Sequence, residues 1–350
     1  MIPFLVIALA AAAGGTGIYK GIDGAVKMSD ANDKLKEAEK RNNENVNRFK
    51  THNSSAMTQM DVVGKMELEI LASFKTFSDY IEKIQNRPQF AEIKIGDVTL
   101  PEYTGEELKD VSIGANVLLG ASTGAGLGTL GGFAAAGATT AAVTAVGTAS
   151  TGTAIASLSG VAATNAVLAT LGGGTLAAGG GGVALGSTIL GGATLGIGLL
   201  IGGLIFNATA NSMLDKADEA WEQMLKNEKE IDKICNYLIE LNKYAEIFYN
   251  SLSRAKNVYD SRLRRMRTIL DDHYWYNVDW DEYHVDWKDL TNDEQHCVED
   301  TILLVGLLYK MCQVKLVKNY ESAETMNEVN IAEINQACSD CDAVLEKIAA

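Results

Sequence analysis

The sequence predicts an all-α protein in which long coiled-coil helices flank a Gly/Ala-rich apolar helical hairpin region. Three observations carry that prediction. Only three prolines occur in 350 residues, which favours helix over β architecture. Two polar segments place apolar residues at alternating steps of three and four. Between them, 104 consecutive residues, Val111 to Leu214, contain no Asp, Glu, Lys, Arg or His, and 25 of the 34 glycines fall within 111–210.

All 45 acidic and 30 basic residues lie outside that run, giving a net charge of −15. Such an acidic balance argues against a nucleic-acid partner, which requires cations facing phosphates. Five scattered cysteines, an odd number, fit reduced thiols on the cytosolic side rather than a disulfide framework.

In chain order, residues 1–22 form an apolar N-terminal segment. Met1 to Tyr19 carries no charged side chain and is about one bilayer crossing long. An uncleaved membrane-associated helix is favoured over a cleaved secretory signal, whose basic leader is missing, and over a buried helix. Residues 23–88 form the first polar coiled-coil helix, read from Asp33 to Ile84. Its seam runs through Leu35, Ala38, Phe49, Ala56, Met60, Val63, Ile70, Phe74, Phe77 and Ile81, and Arg87-Pro88 terminates it. Residues 89–110 are a connector in which Glu92 to Leu100 alternates polar and apolar around Gly96-Asp97, the mark of a small β-hairpin.

Residues 111–214 are the uncharged region. Gly120, Gly124, Gly128 and Gly132 repeat every four residues, and the spacing returns at Gly192/Gly196 and Gly198/Gly202, so a helix would present a ridge that admits close packing. Thr140, Thr144, Thr148 and Thr151 stack on one helical face. They could line a wet path, or bond their own backbone carbonyls in a buried helix. Only Val183 to Phe206 is apolar enough for a conventional span.

The second coiled coil, 215–271 within a helix from Met213 to about Leu270, holds Ile231, Ile234, Leu238, Leu241, Ala245, Phe248, Leu252, Ala255 and Tyr259 in strict three–four rhythm. Arg262, Arg264, Arg265 and Arg267 suit its C-terminal end, as a headgroup contact or as partners of Asp271 and Asp272. Residues 272–350 hold an aromatic–acidic loop and C-terminal helices. Three of the four tryptophans, Trp275, Trp280 and Trp287, crowd that loop as candidate anchors for a protein partner, or as plugs for the bundle end. Thr291 and Glu294 form a capping box, after which Val298, Ile302, Val305, Leu308, Tyr309 and Cys312 make a core face. Glu321 to Ala350 reads as a short solvated helix.

No catalytic, metal or cofactor site is expected. The match of Gly126 to Gly131 to GxGxxG lacks the following acid, and Cys338-Ser339-Asp340-Cys341 stands as a lone CxxC. His273, His284, His296 and Cys297 match no ligand spacing.

The segments Ala149 to Gly160, Ala162 to Ala166 and Leu171 to Gly180 resemble the glycine-zipper block of a group of uncharacterised bacterial helical-hairpin membrane proteins. The resemblance covers about Met1 to Leu316, and its general plan is similar to the membrane-insertion regions of apolipoprotein L and of colicin-type pore formers. It implies insertion into a bilayer as an effector in bacterial conflict or defence, and transfers no catalytic residues. The expectation is a homo-oligomeric protein of the inner, cytoplasmic membrane, with cytosolic stalks and a soluble pre-insertion form. Its glycine-zipper hairpins would permeabilise or remodel a lipid bilayer. The alternative is a membrane-tethered coiled-coil scaffold whose Trp-rich acidic loop recruits a protein partner.

Overall fold

The computed structural model describes residues 21–88, 94–95, 98–101, 103–122, 134, 137–146, 213–274, 283–318 and 328–350. The helices are α1 (Gly21–Ile81), α2 (Gly105–Ser122), α3 (Ala138–Val146), α4 (Met213–His273), α5 (Asn292–Met311) and α6 (Ile331–Ala349). Two-residue strands join them: β1 (Ile84–Gln85), β2 (Lys94–Ile95), β3 (Val98–Thr99), β4 (Val285–Asp286), β5 (Val317–Lys318) and β6 (Glu328–Val329). The all-α class is what the structure shows.

The chain divides into two compact units, Met1–Val46 with Leu204–Glu230, and Asn47–Gly203 with Ile231–Ala350. In the first, Lys34 pairs with Asp218 and Arg41 with Glu228, at sequence separations of 184 and 187. In the second, Arg48–Asp232, Ser55–Asn242 and Ser73–Tyr259 lie 184, 187 and 186 residues apart. Separations that stay nearly constant as both numbers rise mean that α1 and α4 run parallel within each unit.

The α4 seam is a strict heptad. Ala217 and Met224 in the first unit, then Ile231, Leu238, Ala245, Leu252, Tyr259 and Met266 in the second, follow every seventh residue, all at most 2% exposed. Asn227, Ile234, Leu241, Phe248, Ala255 and Ile269 supply the companion positions and are buried as well. On α1 the first unit buries Ala31, Ala38 and Asn45 at steps of seven. In the second unit two interleaved rows are buried, Ala56-Val63-Ile70-Phe77 and Met60-Glu67-Phe74-Ile81. In sequence the step from Asn45 to Ala56 is eleven, a four-residue stutter in the heptad pattern.

α1 stops at Ile81, three residues before the expected end at Ile84. The Arg87 guanidinium donates to the Ile81 and Ile84 carbonyl oxygens at 3.2 and 3.4 Å, satisfying acceptors the helix end leaves over. Ile84 then pairs as β-strand with Val285, parallel, with Gln85 opposite Asp286. The hairpin expected around Gly96-Asp97 is present: β2 and β3 are antiparallel, with Lys94 opposite Thr99 and Ile95 opposite Val98. The expected capping box is also present, Thr291 and Glu294 exchanging side chain and backbone bonds at the start of α5.

The segment at the end differs from expectation. Instead of a solvated helix, β5 and β6 form an antiparallel pair, and α6 buries Ile334, Ala337, Cys341 and Val344 at helical spacing. Its many acids lie mostly on the opposite face, so the acid count obscured an amphipathic helix.

Among the described residues no helix is long and apolar enough to cross a membrane, which overturns the membrane-inserting, permeabilising or remodelling function, the membrane-tethered alternative and the inner-membrane location. The start of the uncharged run has protein as its solvent. Val111, Ala115 and Leu118 of α2 and Ala138 and Ala142 of α3 belong to the same core as Phe74, Tyr259 and Leu308. Met1 to Tyr19 and Val183 to Phe206 lie outside the described residues.

Among the described residues glycine provides a close helix approach at Gly114, while Gly120, the one described member of the expected ridge, has open space beside it. A Cβ at Gly114 would sit 1.8 Å from the Ala142 carbonyl oxygen, whereas one at Gly120 would meet nothing within 4 Å. Gly137, with φ of 90°, turns the chain into α3 in a conformation that side chains resist. These geometries predict opposite outcomes for two similar substitutions. Gly114→Ala is expected to cost about 2–3 kcal/mol by forcing α2 and α3 apart. Gly120→Ala is expected to stabilise by up to about 1 kcal/mol, from helix propensity alone. Urea unfolding of both variants by circular dichroism checks the signs.

Candidate functional site

Few of the residues singled out from sequence come together. Gly124, Gly128, Gly132, Gly192, Gly196, Gly198 and Gly202 lie outside the described residues, as do Thr148, Thr151, Trp275 and Trp280. Thr140 and Thr144 belong to α3. Trp287 opens a single 3₁₀ turn, Trp287–Asp289, and packs half-buried against the core. Its carbonyl accepts from Gln295 Nε2 at 2.9 Å, and Asp286 before it accepts from Asn86 Nδ2 at 2.7 Å. Tyr274 and Tyr283 meet edge to face at 5.3 Å. This described part of the aromatic–acidic loop therefore plugs the end of the helices.

The arginine group also has structural partners. Arg262 pairs with Asp300 at 3.1 Å and Arg267 with Asp271 at 3.7 Å. His273 Nε2 approaches the capping carboxylate of Glu294 at 3.4 Å. Burial pushes Glu294 upward, yet the Thr291 backbone and hydroxyl and His273 outweigh it and hold the carboxyl below its ordinary value. Among the described residues, no group of three or more His, Cys, Asp or Glu is placed to hold a metal ion. The thiols are poor nucleophiles, because burial raises Cys235, Cys297, Cys312, Cys338 and Cys341, the last to about 12.

The unusual chemistry lies where α1, α3 and α5 meet. Glu67 occupies a heptad core position between Met60 and Phe74 and is fully buried. Neither of its carboxylate oxygens has a hydrogen-bond partner. Burial raises its pKa well above the ordinary range, favouring the neutral acid. The Cys312 thiol, at the end of α5, faces the Glu67 backbone carbonyl oxygen at 3.8 Å and is itself raised, first by burial and then by Glu67. Cys312 also accepts on its carbonyl a hydrogen bond from Thr139 N, at 3.2 Å, near the start of α3. The Thr139 hydroxyl, again buried, has no partner. Sequence reading found Cys312 as a core residue but missed Glu67 and Thr139. Glu67 sits in a polar helix, where a carboxylate reads as surface; its seven-residue spacing from Met60 and Phe74 was the available signal.

An aromatic layer lies beside this junction. Phe74 contacts both Tyr259 and Tyr309 at 6.3 Å, and Tyr103 contacts Tyr309 at the same distance. Each tyrosine spends its hydroxyl on a structural bond: Tyr103 donates to the Ile302 carbonyl at 3.0 Å, Tyr309 to Glu107 at 2.8 Å, and Tyr259 meets the Ser73 hydroxyl at 3.3 Å. Lys310 then ties three elements together. Its ammonium donates to Asp340 of α6 at 2.8 Å and to the Thr99 carbonyl of β3 at 3.0 Å.

No protein-family model, no curated protein and no solved structure matches the chain. The likeness to glycine-zipper proteins thus rests on the sequence segments alone.

The Lys310 geometry generates a stability prediction. Lys310→Met removes the cation while Asp340 stays 4% exposed in its side chain, so unfolding in urea is expected to shift by about 2–3 kcal/mol. Restoring neutrality with Asp340→Asn in the same chain should recover part of that loss, as a double-mutant cycle would measure.

Proposed function

We propose that the protein is a self-associating α-helical scaffold, acting by association rather than by catalysis, and that the outer face of α4 joins two copies. The observation that carries this reading is the composition of that face. Ile239 and Ile247 are 48% and 37% exposed, on the side of α4 opposite its heptad seam. Lys243 lies midway between them, with Glu240 and Glu246 on either side and Asn236 and Asn250 beyond, all exposed.

This pattern is self-complementary. An antiparallel, two-fold packing centred on Lys243 sets Ile239 of one copy against Ile247 of the other, and the reverse. It matches Asn236 with Asn250; Lys243 then meets its own counterpart and Glu240 meets Glu246 of the second copy. Each Lys243 offsets these like-charge pairs by reaching diagonally to the second copy's Glu240 and Glu246. Isologous contacts of this kind are the commonest route to closed dimers. Two exposed isoleucines would mean little singly; their reciprocal register is what favours a second copy over an unrelated partner. Support for a non-catalytic role comes from the raised thiols and from the tyrosine hydroxyls and histidine committed to structural bonds.

Light scattering coupled to size exclusion tests the reading. The wild-type chain is expected to elute as a dimer, and the double variant Ile239→Asp, Ile247→Asp as a monomer of unchanged helicity. A monomeric wild type at micromolar concentration overturns the proposal, as does a dimer that survives both substitutions.

A further inference from the structure

A carboxyl buried without a partner is costly in either state, but far more so when charged. Glu67 is such a group, with two orphaned oxygens. Among the described residues, what packs around it offers no compensating cation. From α1 the nearest charges, Lys65 and Glu69, form an exposed ion pair of their own at 3.9 Å. From α2 beyond Asp110 and from α3 no charge is available, because both belong to the uncharged run. From α5 the titratable neighbour is Cys312, a thiol that would only add negative charge. From α4 the corresponding seam residues are Leu252 and Ala255.

At this junction backbone hydrogen bonds tie α3 and Ala134 before it to the end of α5. α3 has nine residues, and its Thr139 N–H docks on the Cys312 carbonyl while its hydroxyl stays unsatisfied. Ala134 gives one further backbone bond, accepting from Leu316 N at 3.4 Å. The Gly114–Ala142 approach holds the other side. Water drawn toward an ionised Glu67 would compete for the backbone bond that docks α3 on Cys312 sooner than it would unseat the buried seam of α1.

We infer that Glu67 is a proton-operated latch: as a neutral acid it lets α3 close over the α1–α5 junction, and on losing its proton it opens that cover and exposes Cys312. The direction follows from linkage. Below the ordinary carboxyl range, closed and open states are both protonated and closure has its full stability. As pH rises beyond that range the open state ionises first, while the closed state keeps its proton. Closure therefore weakens across the interval up to the raised value of the closed state, by up to about tenfold in the equilibrium constant per pH unit.

Thiol alkylation of the full chain by iodoacetamide, mapped by peptide mass spectrometry, reads the latch. Cys341, buried in α6 against the Ser251 carbonyl at 3.5 Å, is the internal control for thiol ionisation. In the wild type the ratio of Cys312 to Cys341 modification is expected to climb with pH above the ordinary carboxyl range, by up to about tenfold per unit. In Glu67→Gln the ratio should stay flat and low, because the amide cannot ionise. Glu67→Met is the second variant and should behave as Gln does. A flat wild-type ratio overturns the inference, and so does a climb that persists in Gln and Met. A chain that folds with neither substitution also overturns it, since a neutral group is what the closed state is held to need.

Discussion

Parallel pairing of α1 with α4, two helices separated by about 185 residues in sequence, imposes order on much of the second unit. Because both helices point the same way, the chain leaves Ile81 and His273 at the same end of the pair. The segments that follow must then run side by side. This is why β1 and β4 pair in parallel, Ile84 with Val285, although neither is part of a larger sheet. Among the described residues, Tyr274, Tyr283 and Trp287 pack at that end as well. A parallel pair also needs a long crossover, since no short turn can bring the chain back to the starting end. Residues 82–212 are that crossover in sequence.

The heptad seam explains which side chains can be large. In the first unit the seam is thin, with alanines at Ala31, Ala38 and Ala217 and asparagines at Asn45 and Asn227. Ion pairs and the cation–π contact of Arg41 over Trp221 at 5.9 Å flank it. In the second unit α1 is buried on more than one side, because Leu68 and Leu71 add to its two seam rows. Phe74, Tyr259 and Tyr309 can then form an aromatic layer of three helices. Area burial of such side chains, at roughly 25 cal/mol per Å², concentrates cohesion in this unit, and the small residues of α2 and α3 dock onto it.

Periodicity made α4 readable in the sequence to within three residues of its end, because nothing interrupts its heptad. Local chemistry made the β2–β3 hairpin and the Thr291–Glu294 box readable, since both depend on residues close in the chain. α1 was legible only from Asp33 onward, although helix is described from Gly21, ahead of the apolar rhythm. Features set by distant contacts were not legible. The Arg87 cap on Ile81, the pairing of Ile84 with Val285 and the second buried face of α1 all require knowing what lies opposite. The uncharged run was the largest misreading among described residues. Alanine, glycine and threonine without charge satisfy lipid and a protein interior equally, so composition cannot choose between them. What decides for α2 and α3 is the presence of protein to receive them: Ser112 donates to the Ala72 carbonyl at 2.5 Å, and Gly114 lies against Ala142. Among the described glycines the close approach falls on Gly114, whose position depends on Ala142 opposite and on no repeat in the sequence.

Polar residues at heptad core positions occur in both units, and their difference is instructive. A buried asparagine costs stability but fixes register, and it has one charge state at every pH. Asn227 shares the constant charge, and its Oδ1 is satisfied within α4 by Gln223 Nε2 at 3.1 Å. Glu67 has no such partner on either oxygen, so it cannot set register by pairing. Glutamine or methionine would fill similar space without the risk of ionisation. A carboxyl at this position adds one property that neither of those has: the stability of its surroundings varies with proton activity. The same packing that neutralises Glu67 raises the adjoining Cys312 thiol and anchors the first turn of α3. Protonation, thiol exposure and docking of the uncharged layer thereby meet at a single heptad position. The more complete the burial of that carboxyl, the stronger the coupling among the three.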